Sequence, residues 1–343
     1  MSKWEVYDFE EIIYDDTKNG TKVKKEHYLT EGLYPVIDQG KNQIAGYVNC
    51  SAGLYENVPA IIFGDHTRVI KYVDTPFFLG ADGVKLLKCK IDNVDYKYLY
   101  YFFLYNKIPD TGYNRHYKWL KKIKIPIPPI ETQIHIANTL DTVAELLTIR
   151  KQQLAELEYL VKSIFYDMFG DPVVNEKEWP TSKLKEITTK IGSGATPKGG
   201  NKSYQSKGIS LIRSMNVHNG FFKYDQLAYI SEEQADQLNN VIIEPNDVLI
   251  NITGASVARS CIVPIDVLPA RVNQHVSIVR IKKGYATPEY INNVIITQSF
   301  QNHLLMLARA GGATREAITK QQLEELLIPL PPIHLQTKFS SIY

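Results

Sequence analysis

Arg115, His116, Lys118, Lys121, Lys122 and Lys124 crowd into one short stretch of the chain, with Tyr113, Tyr117 and Trp119 between them. Ammonium groups at that density can neutralise phosphates, while arginine and amide side chains carry the paired donors and acceptors that match base edges in the major groove. Further candidates for the same chemistry sit in polar, turn-like segments. Gln39, Lys41, Asn42 and Gln43 follow Val36-Ile37, and Arg68 follows His66-Thr67. In the second half of the chain the candidates are Lys198, Asn201, Lys202, Arg213, Asn216, Arg259, Arg309, Thr314 and Arg315. The glycine-rich run Ala310-Gly311-Gly312-Ala313-Thr314-Arg315 stands where Gly112-Tyr113-Asn114-Arg115 stands in the first half, and a backbone-flexible loop ending in arginine suits insertion into a groove. Each candidate also has a plainer reading as a solvated strand edge or a surface turn. Asn273-Gln274-His275, at a strand start, fits a structural role at least as well.

Motifs for catalysis are missing. Gly194-Ala195-Thr196-Pro197-Lys198-Gly199-Gly200-Asn201-Lys202-Ser203 resembles a phosphate loop only superficially, because Gly-Lys-Ser/Thr never falls in register. There is no Asn/Asp-Pro-Pro-Tyr/Phe segment to grip a flipped base and no Gly-x-Gly-x-x-Gly turn for a dinucleotide. The histidines lack metal spacing, so no catalytic residue, metal or cofactor is expected on this chain.

Which elements could position such contacts follows from bulk properties and repetition. A chain of 343 residues, 44% hydrophobic and 22% charged, is globular and long enough for two domains. A net charge of +2 means that any nucleic-acid footprint must be local. Cys50, Cys89 and Cys261 lie far apart, which points to a reducing, cytoplasmic setting. No apolar run would span a bilayer, and the acidic start does not read as a signal peptide.

The chain repeats itself. Ile125-Pro126-Ile127-Pro128-Pro129-Ile130-Glu131-Thr132-Gln133 returns as Ile328-Pro329-Leu330-Pro331-Pro332-Ile333-His334-Leu335-Gln336. Trp4, Phe9, Glu11 and Ile12 match Trp179, Leu184, Glu186 and Ile187 at one constant offset; Val84, Leu86, Tyr98 and Leu99 match Val276, Ile278, Tyr290 and Ile291 at a larger one. Ordered matches with growing offsets mean a duplicated domain with loop insertions. Each copy reads as short strands and turns, with a late helical stretch, Tyr96–Tyr105 in the first and Pro288–Ala308 in the second, before the extended proline run.

Between the copies, Glu131 to about Phe169 contains neither proline nor glycine. Ile136, Leu140, Val143, Leu147, Leu154, Leu157, Val161, Ile164 and Met168 alternate in steps of four and three, with Arg150 the charged exception. That is a heptad seam suited to pairing with another helix. A helix of this length spans roughly 50–60 Å, enough to hold two readers more than one DNA turn apart. Gly170-Asp171-Pro172 stops it. The second proline run launches another helix at His334 that is too short to be the partner, so either the second helix is naturally truncated or another chain, including a second copy, supplies the partner.

Two such domains, each followed by Ile-Pro-x-Pro-Pro and a helix, resemble the specificity subunit of type I restriction–modification systems. The second copy carries the likeness in Lys190–Pro197, Gly208–Arg213, Asp247–Ile250 with Thr253-Gly254-Ala255, and Asn273–Val276; the first in Tyr34-Pro35-Val36, Gly64–Arg68 and Gly80–Gly83. The resemblance implies an α+β protein: two homologous mixed α/β target-recognition domains separated by a long coiled-coil-type α-helix. The domains are then 1–130 and 171–328, the spacer 131–170, and the start of a truncated second helix 329–343. It also implies a non-catalytic reader of a bipartite double-stranded DNA target, one half per domain, which scaffolds methyltransferase and restriction subunits. S-adenosylmethionine, ATP and magnesium belong on those partners. The competing reading is a truncated, dimerising relative that sequesters partner subunits.

Overall fold

Ala60-Ile61-Ile62-Phe63 is apolar at every position, a pattern that suits a strand covered on both faces. The computed structural model of the chain buries all four of these residues in the interior of a sheet. The structure describes residues 4–80, 83–112, 114–310 and 316–342. They form two compact units, Met1–Gln152 and Gln153–Tyr343, and the division falls inside one long helix rather than setting that helix apart.

The first unit runs β1 (Glu5–Asp8), α1 (Phe9–Ile12), β2 (Ile13–Asp15), β3 (Tyr34–Ile37), β4 (Gly46–Val48), β5 (Ala60–Gly64), β6 (Ile70–Val73), β7 (Phe78–Leu79), β8 (Val84–Cys89), α2 (Tyr96–Tyr105), α3 (Tyr117–Leu120) and β9 (Lys124–Ile127). The antiparallel sheet β2-β8-β5-β6 is joined by a smaller sheet β4-β3-β7, in which β3 and β7 are parallel, and by the pair β1-β9. Successive side chains on a strand point to opposite faces, so β5 feeds two cores. Ile61 and Phe63 pack with Phe9, Leu87, Leu99 and Phe103, whereas Ala60 and Ile62 pack with Ile37, Leu79 and Leu86.

A single helix, α4 (Ile130–Phe169), runs unbroken into the second unit and ends at Gly170, whose φ of +76° is the left-handed geometry of a glycine stop. Then follow β10 (Thr181–Lys183), β11 (Thr188–Ser193), β12 (Ile209–Ile212), β13 (Val217–His218), β14 (Phe221–Phe222), β15 (Ala228–Ile230), α5 (Glu232–Asp236), β16 (Val248–Asn251), β17 (Ser260–Ile262), β18 (Ala270–Val272), β19 (Val276–Ile281), α6 (Pro288–Ile296), α7 (Gln298–Ala310), α8 (Lys320–Glu324), β20 (Leu327–Pro329) and α9 (Ile333–Ser340). Strand for strand, β11-β19-β16-β17 repeats β2-β8-β5-β6, β15-β12-β18 repeats β4-β3-β7, and β10-β20 repeats β1-β9. β16 again feeds two cores, Val248 and Ile250 to one and Leu249 to the other. The duplication in the sequence is a duplication of topology. Even single bonds recur: the Tyr98 hydroxyl donates to the Pro126 carbonyl at 2.7 Å, and that of Tyr290 to the Pro329 carbonyl at 2.8 Å.

The predicted helix Tyr96–Tyr105 forms with those bounds, capped by Asp95, whose side chain accepts from the Tyr98 N–H. The predicted helix Pro288–Ala308 is instead two helices. Thr297 between them is extended (ψ 147°), and its hydroxyl donates to the Val294 carbonyl at 2.8 Å. A side chain that satisfies the backbone locally removes the need to continue the helix. Among the described residues no helix is long and apolar enough to cross a membrane.

Candidate nucleic-acid interface

In the first unit the predicted residues gather on connections that are bonded to one another. The Thr67 hydroxyl donates to the Gln39 carbonyl at 2.6 Å, and the His66 N–H to Gln39 Oε1 at 3.2 Å, which joins the β3–β4 and β5–β6 turns. Lys71, 2% exposed, donates to the Asn42 carbonyl at 2.5 Å and faces Asp38 at 3.5 Å; burial pulls it below the ordinary lysine range, opposed by Asp38. Gln43 donates to the Tyr72 carbonyl at 2.7 Å, so its amide is partly committed within the fold. Arg68 holds a left-handed backbone (φ +61°) at its turn and pairs with Asp110 at 2.6 Å. The Gly112 N–H, and then the Arg68 guanidinium, hold the Asp110 carboxyl below the usual carboxylate range. A bulky residue in that conformation is strained, and such strain persists where surrounding contacts enforce it.

The basic cluster divides. Arg115 and Lys118 are exposed, whereas Lys121 pairs with Glu10 and Lys124 with Asp8 at 3.2 Å. Lys118 and Lys122 lie over the Trp119 ring at 5.6 and 4.7 Å from its centroid. Tyr117–Leu120 is a helical turn and not a loop. His116 must be corrected as a contact residue. It is fully buried, and its N–H and ring Nδ1 both bond the Asp65 carbonyl. Tyr113 lies outside the described residues.

The second unit assembles the matching connections. Thr196 bonds the Gln274 amide, Gln274 meets the His275 ring at 3.1 Å, and the His275 ring meets the Thr253 hydroxyl. The Gly254 N–H donates to the Glu316 carbonyl at 2.9 Å. Arg259 follows Ala258, which is left-handed (φ +73°) in the β16–β17 turn just as Arg68 is in the β5–β6 turn. Arg259 itself is half-buried. Arg213 is half-buried, donates to the Gln226 carbonyl at 2.5 Å and lies over Tyr204. Lys198, Asn201 and Lys202 are exposed on the β11–β12 connection. Arg309 is exposed but paired with Glu316 at 2.7 Å. Asn216 is the second correction: fully buried, it accepts from the Arg213 N–H and donates to the Lys223 and Asp225 carbonyls, closing a turn. Thr314 and Arg315 lie outside the described residues.

Residue type alone did not mark Asp65, Lys71 or the Thr196–Gln274–His275–Thr253 chain. Apart from Lys71 these residues lay inside quoted motifs, but the bonds that join Asp65 to Tyr117, Thr196 to Gln274 and Thr253 to His275 cross long sequence separations.

The predicted pairing seam also divides. Ile136 packs on the first unit's core, and Val161, Ile164 and Met168 on the second's, so these four serve their own units. Between them Leu140, Val143, Leu147, Leu154 and Leu157 stay exposed, from 38% to 62%.

Comparison with known proteins agrees with this arrangement. The sequence model of the type I restriction modification DNA specificity domain (Methylase_S) matches residues 1–159 and again 176–342. The chain therefore belongs to the type I restriction–modification DNA specificity family, whose domain it carries twice. It is 26% identical over 336 residues to the EcoR124I/EcoR124II specificity subunit of Escherichia coli, covering 93% of this chain and 81% of that one. It is 24% identical over 287 residues to the MjaVIII specificity subunit of Methanocaldococcus jannaschii, covering 76% of this chain and 66% of the relative. In fold it resembles the S subunit of a type I system from M. genitalium, with a TM-score of 0.67 at 16% identity over 99% of this chain and 88% of that one. A chain from a type I R-M system studied for its complex assembly matches at a TM-score of 0.51 and 16% identity, covering 100% of this chain and 90% of the other.

Proposed function

We propose that this protein is the specificity subunit of a type I restriction–modification complex, reading a bipartite double-stranded DNA target with one unit per half. The observation that carries the reading is the repeated convergence of loops. In both units the turns that hold exposed cations and amides are bonded together at one end of the same strand topology. Arg115 and Lys118 serve the first half-site, and Arg259, Lys198, Asn201 and Lys202 the second. The exposed row Leu140–Leu157 on α4 receives a helix of a partner chain. Methyltransferase and restriction subunits do the chemistry and carry S-adenosylmethionine, ATP and magnesium, while this chain supplies recognition without catalysis. The family match along both copies favours this reading over a sequestering protein.

Methylation mapping of host DNA with and without the gene tests it. Loss of one bipartite methylated sequence on deletion is expected, and an unchanged methylation map refutes the proposal. Arg115→Glu and Arg315→Glu should each abolish reading of a different half. Equal loss at both halves defeats the assignment of one unit to each.

A further inference from the structure

We infer that Asp65 and His116 are positioning residues that set which bases the first unit reads, an inference that rests on the DNA-reading function proposed above. Neither reaches the surface as a contact: Asp65 is 4% exposed and His116 fully buried. The Asp65 carbonyl accepts from the His116 backbone N–H at 2.8 Å and lies 3.1 Å from ring Nδ1. A carbonyl only accepts, so Nδ1 carries a ring proton, and Nε2 faces the Thr111 hydroxyl at 3.3 Å. The Asp65 carboxylate accepts from the Tyr117 N–H at 2.7 Å, and its own N–H donates to the Gly83 carbonyl at 2.7 Å.

This joint ties three connections together. One carries His66 and Arg68, one ends at Gly83 beside the Gln39 amide, and one carries Asp110 and Arg115. Burying a carboxylate and an imidazole is costly unless their polar atoms are bonded, so a joint needed only for packing would be apolar. Among the described residues, the second unit makes the corresponding link through backbone groups, Ile318 N–H to Ile252 carbonyl at 2.8 Å and Gly254 N–H to Glu316 carbonyl at 2.9 Å. Both units bond the segment before their last strand to the turn after the central strand, and among the described residues the first does so through side chains as well as backbone. A single substitution can therefore shift the first reader and leave the second untouched.

The test uses the full chain produced with its methyltransferase partner, with methylation mapped across a library randomised in both half-sites. His116→Asn keeps an N–H donor where Nδ1 stands. His116→Gln keeps the bulk but moves the donor away. Asp65→Asn keeps the acceptor for Tyr117, and Asp65→Ala removes it. The His116→Asn and Asp65→Asn variants should read both halves as the parent does. The His116→Gln and Asp65→Ala variants should lose about tenfold in discrimination at the first half, with the second half unchanged. Equal behaviour of His116→Asn and His116→Gln, whether both like the parent or both broadened, overturns the inference. So does loss at both halves together. A parent complex with no sequence-dependent methylation instead overturns the functional reading beneath it, and the two failures are thus told apart.

Discussion

Gln133 accepts a 2.9 Å hydrogen bond from the backbone N–H of Asp95, the residue that caps α2, while its amide donates to the Asn93 and Pro128 carbonyls at 3.0 and 2.8 Å. Gln336 repeats the arrangement with the Thr287 N–H at 3.0 Å and the Pro331 carbonyl at 2.8 Å. Both side chains are fully buried. Each glutamine therefore fastens the first turn of the helix after the proline run to the N-cap of an earlier helix, α2 for Gln133 and α6 for Gln336.

Replacing Gln133 with leucine keeps the volume and strands these partners. Each unsatisfied buried group costs about 1–3 kcal/mol, so Gln133→Leu should destabilise the first unit by at least about 2 kcal/mol. The expected record is a urea unfolding curve in which the first unit's transition moves to lower denaturant and the second unit's stays. An unmoved first transition means that the clamp contributes nothing.

The proline repeat, the heptad row and the span of helix α2 were legible because each depends on neighbours in sequence. What was not legible depends on partners brought from afar. Lys121 and Lys124 look like their neighbours Lys118 and Lys122 until β1 and α1 bring Asp8 and Glu10 beside them. His116 and Asn216 have the side chains of contact residues, and only the fold reveals that backbone groups use them up. Periodicity placed Ile136 and Val161 on one face with Leu147, yet it has no means of saying which body covers each part of that face.

That division of α4 gives opposite outcomes for two truncations. Phe165, 2% exposed, packs against Tyr290 and Phe339 at ring separations of 5.8 and 5.5 Å. Phe165→Ala should cost about 3–5 kcal/mol of the second unit's stability. Leu147, 57% exposed, contributes almost nothing to the isolated chain. Leu147→Ala should leave unfolding unchanged and weaken capture of a helical partner, read by co-purification from cells producing the methyltransferase subunit. Unchanged co-purification for a combined Leu147→Ala, Leu154→Ala variant removes the row from the interface.

The lysines near Trp119 should differ in their salt response. A lysine already held by a carboxylate releases fewer DNA counterions than a free one, and each phosphate contact adds about 0.9 to the slope of log affinity against log salt. Lys118→Ala should therefore flatten that slope by up to about one unit, whereas Lys124→Ala, removing a cation paired with Asp8, should change it much less. Fluorescence anisotropy with labelled duplex across a salt series reads both. Equal flattening by the two variants shows that the Asp8 pair opens on binding.

Thiol chemistry offers a check on the burial of both units at once. Burial pushes the Cys261 thiol up to about 12, and burial pushes Cys89 up to about 11, the latter opposed by the Tyr96 hydroxyl. Cys50 is exposed. The attacking species is the thiolate, and a group with its pKa raised that far is almost wholly protonated at pH 8. At that pH a disulfide reagent should modify exposed Cys50 rapidly, half-buried Cys89 slowly, and Cys261 only as fast as the chain opens. Raising the pH to 9 should leave Cys261 limited by unfolding, because its thiolate stays scarce and its sulfur inaccessible. Urea should release Cys89 with the first unit's transition and Cys261 with the second's, so the order of release reports the two stabilities separately. A second fast thiol in the native protein at pH 8 contradicts the enclosed strand packing around Cys89 or Cys261.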